Sequence, residues 1–144
     1  MAEKADFDLM TFLPYLLNQA AEASSVEFQS HYKSRYGMLR TEWRVLFHLG
    51  LYGEMTAKQI CERAGLHKTK VSRAVQALEQ KRFLKRDVSE LDRRVEALTL
   101  TRQGQAAYSD LFEAAKRYDG ALCADLTQQE DAILRRCLVK IAQI

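Results

Sequence analysis

The sequence contains few cysteines, which cross-link small folds, and few prolines and glycines, which form the turns between strands. It has one proline, six glycines and three cysteines among 144 residues. So few turn formers argue against an all-β chain. Cysteines at positions 61, 123 and 137 are too few for a disulfide framework and are not spaced like zinc ligands. We therefore expect a mainly helical chain with no structural metal and no cofactor.

Long apolar runs are also missing. No stretch approaches 18 consecutive apolar residues, and no N-terminal run resembles a signal peptide. Hydrophobic residues still make up 47% of the chain, which is enough for a core and too much for a disordered protein. We expect a cytoplasmic protein of about one domain's length, without a membrane partner.

Charge is distributed unevenly along the chain. Residues 56–102 contain 12 Lys/Arg and 6 Asp/Glu, a net charge of +6, whereas the remaining residues sum to −3. A basic block in a mildly acidic chain favours a polyanionic partner such as nucleic acid. A solvated, lysine-rich surface would give the same count, so charge alone does not decide.

Apolar periodicity and capping signals predict six helices and one hairpin. We place the helices at about 11–36, 41–52, 56–64, 67–81, 101–124 and from 127 onward, and the strands at about 83–88 and 95–100. The expected N-caps are Thr41, Thr56, Thr101 and Thr127, with Gln59 and Glu130 completing capping boxes. Three compact helices followed by a hairpin describe a winged helix. The fold class is therefore mainly α with a small β-hairpin wing, and long terminal helices flank it.

The third and fourth helices fit a helix-turn-helix. Small or apolar residues stand where two helices joined by a tight turn need them: Ile60, Cys61, Ala64, Gly65, Leu66, Val71 and Ala74. Gly65 permits the turn, and Leu66 fills the corner. The alternative is an ordinary helical hairpin with no DNA partner.

The solvent face of the fourth helix carries the candidate DNA-contacting residues. A helical wheel at about 100° per residue puts Val71, Ala74, Val75 and Leu78 on one side. The other side and its edges carry Lys68, Thr69, Lys70, Ser72, Arg73 and Gln76. Arginine can bond bidentately to guanine, hydroxyls and amides can meet base edges, and lysines suit phosphates. The centre of this face has no acidic residue, unlike a typical solvated helix.

The hairpin tip adds a second candidate contact. Arg93 and Arg94 follow Asp92 directly. Arginine is favoured in a narrow minor groove, where the negative potential is concentrated. We expect Asp92 to pair with a nearby arginine and orient it. The alternative is an ordinary polar hairpin tip.

These segments resemble the MarR family of bacterial transcription regulators. The resemblance rests on the runs 39–44, 65–75 and 78–86, with Arg82 where the family commonly has glycine. It rests most specifically on Asp92-Arg93-Arg94 followed by Leu100-Thr101-Arg102-Gln103-Gly104. It extends over about residues 12–142.

The resemblance implies a homodimeric repressor that binds double-stranded DNA at a pseudo-palindromic operator. It divides the chain into an N-terminal dimerisation helix (1–40), a winged helix-turn-helix DNA-binding domain (41–100) and C-terminal dimerisation helices (101–144). The sixth helix supplies an apolar stripe for a dimer: Ile133, Leu134, Cys137, Leu138 and Ile141. Packing within one chain would account for the same stripe.

The resemblance also implies a small aromatic acid effector, bound between the dimer region and the DNA-binding lobe. Rings and charges of the first two helices are the candidate lining: His31, Tyr32, Arg35, Tyr36, Arg40, Trp43, Arg44 and His48. An arginine or histidine would hold the anion among the rings. The alternative is that the aromatic rings belong to the hydrophobic core and the charged side chains lie on the surface, with no effector site between them.

Other classes of function have less support. The sequence shows no nucleophile elbow, phosphate-cradling glycine loop or cluster of metal ligands, so we assign no catalytic residue and expect no enzyme. Thiol sensing through Cys61, Cys123 or Cys137 and a winged helix used only for protein contacts remain the alternatives.

Overall fold

The computed structural model of the protein describes residues 6–88, 91–92 and 94–144. A short 3-10 helix at Leu9–Thr11 precedes the first long helix. The α-helices are α1 (Leu13–Tyr36), α2 (Arg40–Tyr52), α3 (Ala57–Ala64), α4 (Lys68–Gln80), α5 (Arg102–Leu122) and α6 (Gln128–Ala142). The strands are β1 (Met55–Thr56), β2 (Leu84–Val88) and β3 (Glu96–Leu100). The predicted mainly helical winged fold is confirmed, and no helix of the described residues is long and apolar enough to cross a membrane.

The wing belongs to a three-stranded antiparallel sheet in the order β1-β3-β2. Met55 pairs with Leu98, and Arg86 pairs with the same residue from the other side. Sequence analysis predicted β2 and β3 but missed β1. A two-residue strand has no periodicity to detect, and it forms because the chain runs beside β3 on its way into α3.

The predicted cap at Thr41 is wrong. Helix α2 begins at Arg40, with Leu39 in the capping position, and the carboxylate of Glu42 accepts a hydrogen bond from the backbone N–H of Leu39 at 2.9 Å. The other Glu42 oxygen accepts from Lys81 Nζ at 3.1 Å. Glu42 is buried, and burial of a charge requires such partners. The ion pair between Glu42 and Lys81 therefore connects the end of α4 to the start of α2.

The predicted caps of α3 and α6 are confirmed as reciprocal pairs. Thr56 Oγ1 accepts from the N–H of Gln59 at 3.1 Å, and the Gln59 side chain accepts from the N–H of Thr56 at 2.9 Å. Thr127 and Glu130 repeat the pattern. Gly65 has φ +64° and ends α3, as the helix-turn-helix prediction required.

The run from Leu100 to Gly104 joins α5 to the chain that leaves α4. The Thr101 hydroxyl donates to the carbonyl of Arg82 at 2.6 Å, and the Thr101 N–H donates to the carbonyl of Phe83 at 3.0 Å. A Cβ on Gly104 would lie 1.8 Å from that Phe83 oxygen, so only glycine fits. Arg82 itself has φ +64°, a conformation that favours the glycine common there in the resembled family.

A single core connects the helices. Its largest fully buried side chains come from α1, α2, α3, α4, β3 and α5 and the α1–α2 turn: Tyr32, Met38, Leu46, Ile60, Leu78, Leu98 and Leu111. Helix α6 contributes no buried residue. The core therefore fixes α4 against the rest of the globule and leaves α6 on the surface.

Candidate nucleic-acid interface

Helix α4 presents one apolar side to the core and one polar side to solvent. Val71, Ala74, Val75 and Leu78 are buried. The helix starts at a cap in which the Thr69 N–H donates to His67 Nδ1 at 3.3 Å. This packing fixes the rotation of α4, and thereby which side chains point outward.

The outward side carries all six residues selected from the helical wheel. Each is exposed: Lys68, Thr69, Lys70, Ser72, Arg73 and Gln76. We call this set the α4 strip. The sole carboxylate of α4, Glu79, is bonded to Arg86 at 3.1 Å. The strip therefore combines cationic and neutral polar groups without an acidic side chain among them.

The wing brings Asp92 and Arg94 together. Asp92 Oδ1 accepts from the Arg94 backbone N–H at 3.0 Å and from Arg94 Nε at 3.2 Å. The Arg94 side chain is 91% exposed, so its guanidinium projects into solvent. Arg93, the other arginine predicted to contact DNA, lies outside the described residues.

An ion-pair triad links the wing to α4, and sequence analysis missed it. Arg86 of β2 bonds to Glu79 of α4 and, at 3.0 Å, to Glu96 of β3. The hydrogen bond to Glu96, helped by the charge of Glu79, raises the pKa of Arg86 above its ordinary value. The paired residues stand 7 and 10 positions apart on three different elements, so no local sequence pattern indicates the pairing.

A cavity of about 410 Å³ lies where α1, α2 and α5 meet. Rings of Phe28, Tyr32, Trp43 and Tyr118 line it, and Arg40 and Arg44 also line it. Arg44 Nη2 donates to the carbonyl of Ala64, the last residue of α3, at 3.1 Å. Asp119 also lines the cavity, and its carboxylate is paired with Arg135 at 2.9 Å. The cavity thus offers aromatic walls and two arginines, a combination suited to a small aromatic anion.

The predicted effector residues divide between this cavity and other places. Trp43, Arg44, Tyr32 and Arg40 line the cavity, and the ring of His31 lies 5.6 Å from that of Phe28. Three others have different neighbours: Arg35, Tyr36 and His48. Phe28 and Tyr118 were missed, although Phe28 stands four residues before Tyr32 on α1.

Arg35 and Tyr36 instead join α1 to α5 through Asp110. The Tyr36 hydroxyl donates to Asp110 at 2.6 Å, and Arg35 donates to both of its oxygens at 3.1 and 3.2 Å. Burial and the bond to Asp110 raise the pKa of Tyr36 to about 12, and the same bond lowers the pKa of Asp110. His48 Nδ1 lies 2.6 Å from the Arg44 carbonyl.

The three cysteines are free thiols with different surroundings. Cys61 is half-buried and packs against the core, as expected for its inward position. Cys123 is half-buried, with its Sγ 3.4 Å from an Arg135 guanidinium nitrogen. Cys137 is exposed on α6. Thiol sensing stays an untested alternative.

Comparison with known proteins finds a family model that matches the central part of the chain. Residues 36–95 match the family model described as MarR family. The chain is 26% identical over 126 residues to the HTH-type transcriptional regulator YwaE of Bacillus subtilis, which covers 88% of this chain and 74% of that one.

Solved structures share the whole fold at lower identity. BpsR of Bordetella bronchiseptica, whose DNA binding is regulated by 6-hydroxynicotinic acid, superposes with a TM-score of 0.86 at 18% identity, covering 96% of this chain and 98% of that one. PcaV of Streptomyces coelicolor, solved in complex with its natural ligand, gives 0.83 at 20% identity, covering 97% and 98%. Residues 36–95, which include α2, the helix-turn-helix and part of the wing, therefore match the MarR family, and the chain as a whole shares the winged helix-turn-helix fold of these solved regulators.

Proposed function

We propose that this protein is a homodimeric repressor that recognises a pseudo-palindromic operator through the α4 strip. The observation that carries the proposal is the strip itself: six exposed residues on one side of a core-fixed helix, two lysines and an arginine among neutral polar groups. A helix of this kind fits the major groove of B-DNA. The exposed Arg94 of the wing is assigned to the adjacent minor groove.

Individual contacts follow from side-chain chemistry. Arg73 lies near the centre of the strip, where a guanidinium can bond bidentately to guanine O6 and N7. Thr69, Ser72 and Gln76 offer hydroxyl and amide groups to neighbouring base edges. Lys68 and Lys70 lie in the first turn, where they suit phosphates and fix the register of the helix without specifying sequence.

A second copy of the chain explains the exposed apolar side chains at both ends. Leu9, Met10, Phe12 and Leu13 precede or open α1, and each is at least 42% exposed. Helix α6 exposes Ile133, Leu134, Leu138, Val139 and Ile141, by 39–48%. A patch of this kind marks an interface. Twofold pairing would also double the number of bases read, with half-sites about one helical turn apart.

Selection of bound duplexes from a randomised pool tests this proposal. We expect a pseudo-palindrome to be enriched, and its affinity to fall steeply as salt rises, because phosphate contacts release counterions. A pool that shows no enrichment over its starting composition would contradict sequence-specific binding. The enriched sequence is called the selected duplex below.

Lys68→Ala is expected to weaken the selected duplex and a random duplex by similar factors. Lysine on a phosphate contributes no base discrimination, so the slope of log affinity against log salt should flatten by about one. Lys33→Ala removes the same charge from α1 and should leave the slope unchanged. Fluorescence anisotropy at several salt concentrations gives both slopes. A loss confined to the selected duplex would place Lys68 on a base instead.

The cavity between α1, α2 and α5 is proposed as the effector site. Because BpsR responds to 6-hydroxynicotinic acid, that compound is the first probe for this chain. Trp43 is the only tryptophan and lines the cavity, so its fluorescence reports binding directly. We expect saturable quenching and a loss of affinity for the selected duplex of about 5- to 150-fold, the usual range of allosteric coupling.

The neutral analogue 6-hydroxynicotinamide is the matched control for this experiment. It retains the ring and lacks the carboxylate, so it should quench only at much higher concentration. Arg44→Gln should weaken the acid and leave the amide unchanged. Equal quenching by both compounds would contradict a cationic anchor in the cavity.

A further inference from the structure

Arg86 lies where the wing leaves the core of the protein. On the inner face of the hairpin, Leu84 and Leu98 are buried, whereas Arg86 and Glu96 stand further out and are partly exposed. Arg86 donates from Nε to Glu79 Oε2 at 3.1 Å and from Nη1 to Glu96 Oε2 at 3.0 Å. One guanidinium therefore connects α4, β2 and β3.

A cleft beneath this triad lies between the hairpin, α3 and the first turns of α4. It measures about 450 Å³ and is lined by Lys68, Ser72 and Val75 of α4, by Arg86 of β2 and by Glu96 and Leu98 of β3. Leu84, Leu98 and the short strand β1 hold the base of the hairpin, but beyond Ala97 the hairpin is a two-stranded ribbon, which is only marginally stable alone. The planar guanidinium has fixed donor directions, so two carboxylates can hold it in one orientation.

We propose that Arg86 is the positioning residue that sets the wing at a fixed distance from α4, so that wing and helix can engage neighbouring grooves together. This proposal rests on the proposed DNA-binding function. The Glu79 arm of the triad fixes the wing to the helix, and the Glu96 arm holds Arg86 within the hairpin. Arg86 acts through Arg94 and makes no base contact of its own.

Substitution of Glu79 distinguishes a positioning role of Arg86 from a simple contribution of its positive charge to DNA binding. Glu79→Gln replaces the helix-to-wing ion pair with at most a weaker, neutral hydrogen bond and makes the protein more positive, which by charge alone would tighten binding to any duplex. If Arg86 positions the wing, the same change loosens the wing and weakens its groove contact. Glu79 is 43% exposed, so glutamine is accommodated there.

The readout is the preference of the protein for A·T over G·C flanks around the selected duplex. Arg94→Ala supplies the reference, because narrow A·T minor grooves attract an inserted arginine. We expect Arg86→Gln and Glu79→Gln to lower the flank preference to within about twofold of the Arg94→Ala value. The base preference assigned to Arg73 should stay intact in both. Lys85→Gln, a neighbouring charge loss on β2, should retain the wild-type flank preference.

A second measurement is made on the free protein and does not depend on DNA. The order parameter of the Arg94 backbone amide should fall from about 0.85 toward 0.6 in Arg86→Gln and Glu79→Gln, and stay at the wild-type value in Lys85→Gln. Wild-type flank preference or wild-type amide order in both triad variants would overturn the proposal. Failure of the wild-type protein to prefer any duplex would contradict the proposed function instead, and the amide measurement would still decide the role of Arg86.

Discussion

Arg73→Ala is expected to weaken binding to the selected duplex by about 5- to 150-fold, equivalent to about 1–3 kcal/mol. The reason is that Arg73 is exposed at the centre of a strip whose rotation is fixed by four buried residues of the same helix. Loss of a bidentate bond to guanine should also relax the preference at one base pair in each half-site. Repeating the selection with the variant measures both effects.

The control for Arg73 is an arginine outside the strip. Arg117→Ala removes the same charge from the exposed side of α5 and should change affinity far less. Unchanged selectivity in Arg73→Ala, with only a uniform loss on all duplexes, would show that Arg73 binds phosphate and that the guanine assignment is wrong.

Leu134→Glu is expected to convert the proposed dimer into monomers and to abolish tight binding to the selected duplex. Leu134, Leu138 and Ile141 share one side of α6, and all are partly exposed in the single chain. Burying a leucine contributes about 1.5–3 kcal/mol, and twofold symmetry counts each loss twice, so even truncation would raise the dimer dissociation constant about 100-fold or more. A glutamate adds the cost of burying charge.

Ala132→Glu is the matched control for the interface. Position 132 lies about 160° around the helix from Leu134 and is also exposed, so the variant adds the same charge on the opposite side. Sedimentation velocity distinguishes the two. A Leu134→Glu variant that remains dimeric at micromolar concentration would show that α6 does not form the interface.

The regular elements could be predicted from sequence because their signals are local. The capping boxes at Thr56 and Thr127, the turn at Gly65 and the apolar side of α4 all depend on residues within one or two turns. The cap at Thr41 failed because Glu42, three residues after Leu39, satisfies the helix start instead. Its burial beside Lys81 depends on tertiary packing.

Sequence predicted the candidate site residues well where they lie on a single helix, and less well where a site is formed by several helices. The α4 strip follows from the wheel of a single helix, and all six of its residues are exposed as expected. The cavity was anticipated on α1 and α2, but its third wall comes from α5, where Tyr118 lies 75 residues beyond Trp43. Nothing in the sequence distinguishes the aromatic and charged residues of α1 and α2 that line the cavity from Arg35 and Tyr36, which bond to Asp110 instead.

The joint at Thr101, Phe83 and Gly104 has a consequence for how half-site spacing is set. The start of α5 is hydrogen-bonded to the backbone that follows α4, and Gly104 packs so closely against it that a methyl group would not fit. We therefore expect α4 and α5 to move as one rigid unit. In a symmetric pair, the angle between the two α5 helices then fixes the separation of the two recognition helices. Grafting residues 41–100 onto a different dimerisation scaffold should therefore keep the half-site sequence and change the number of base pairs between half-sites.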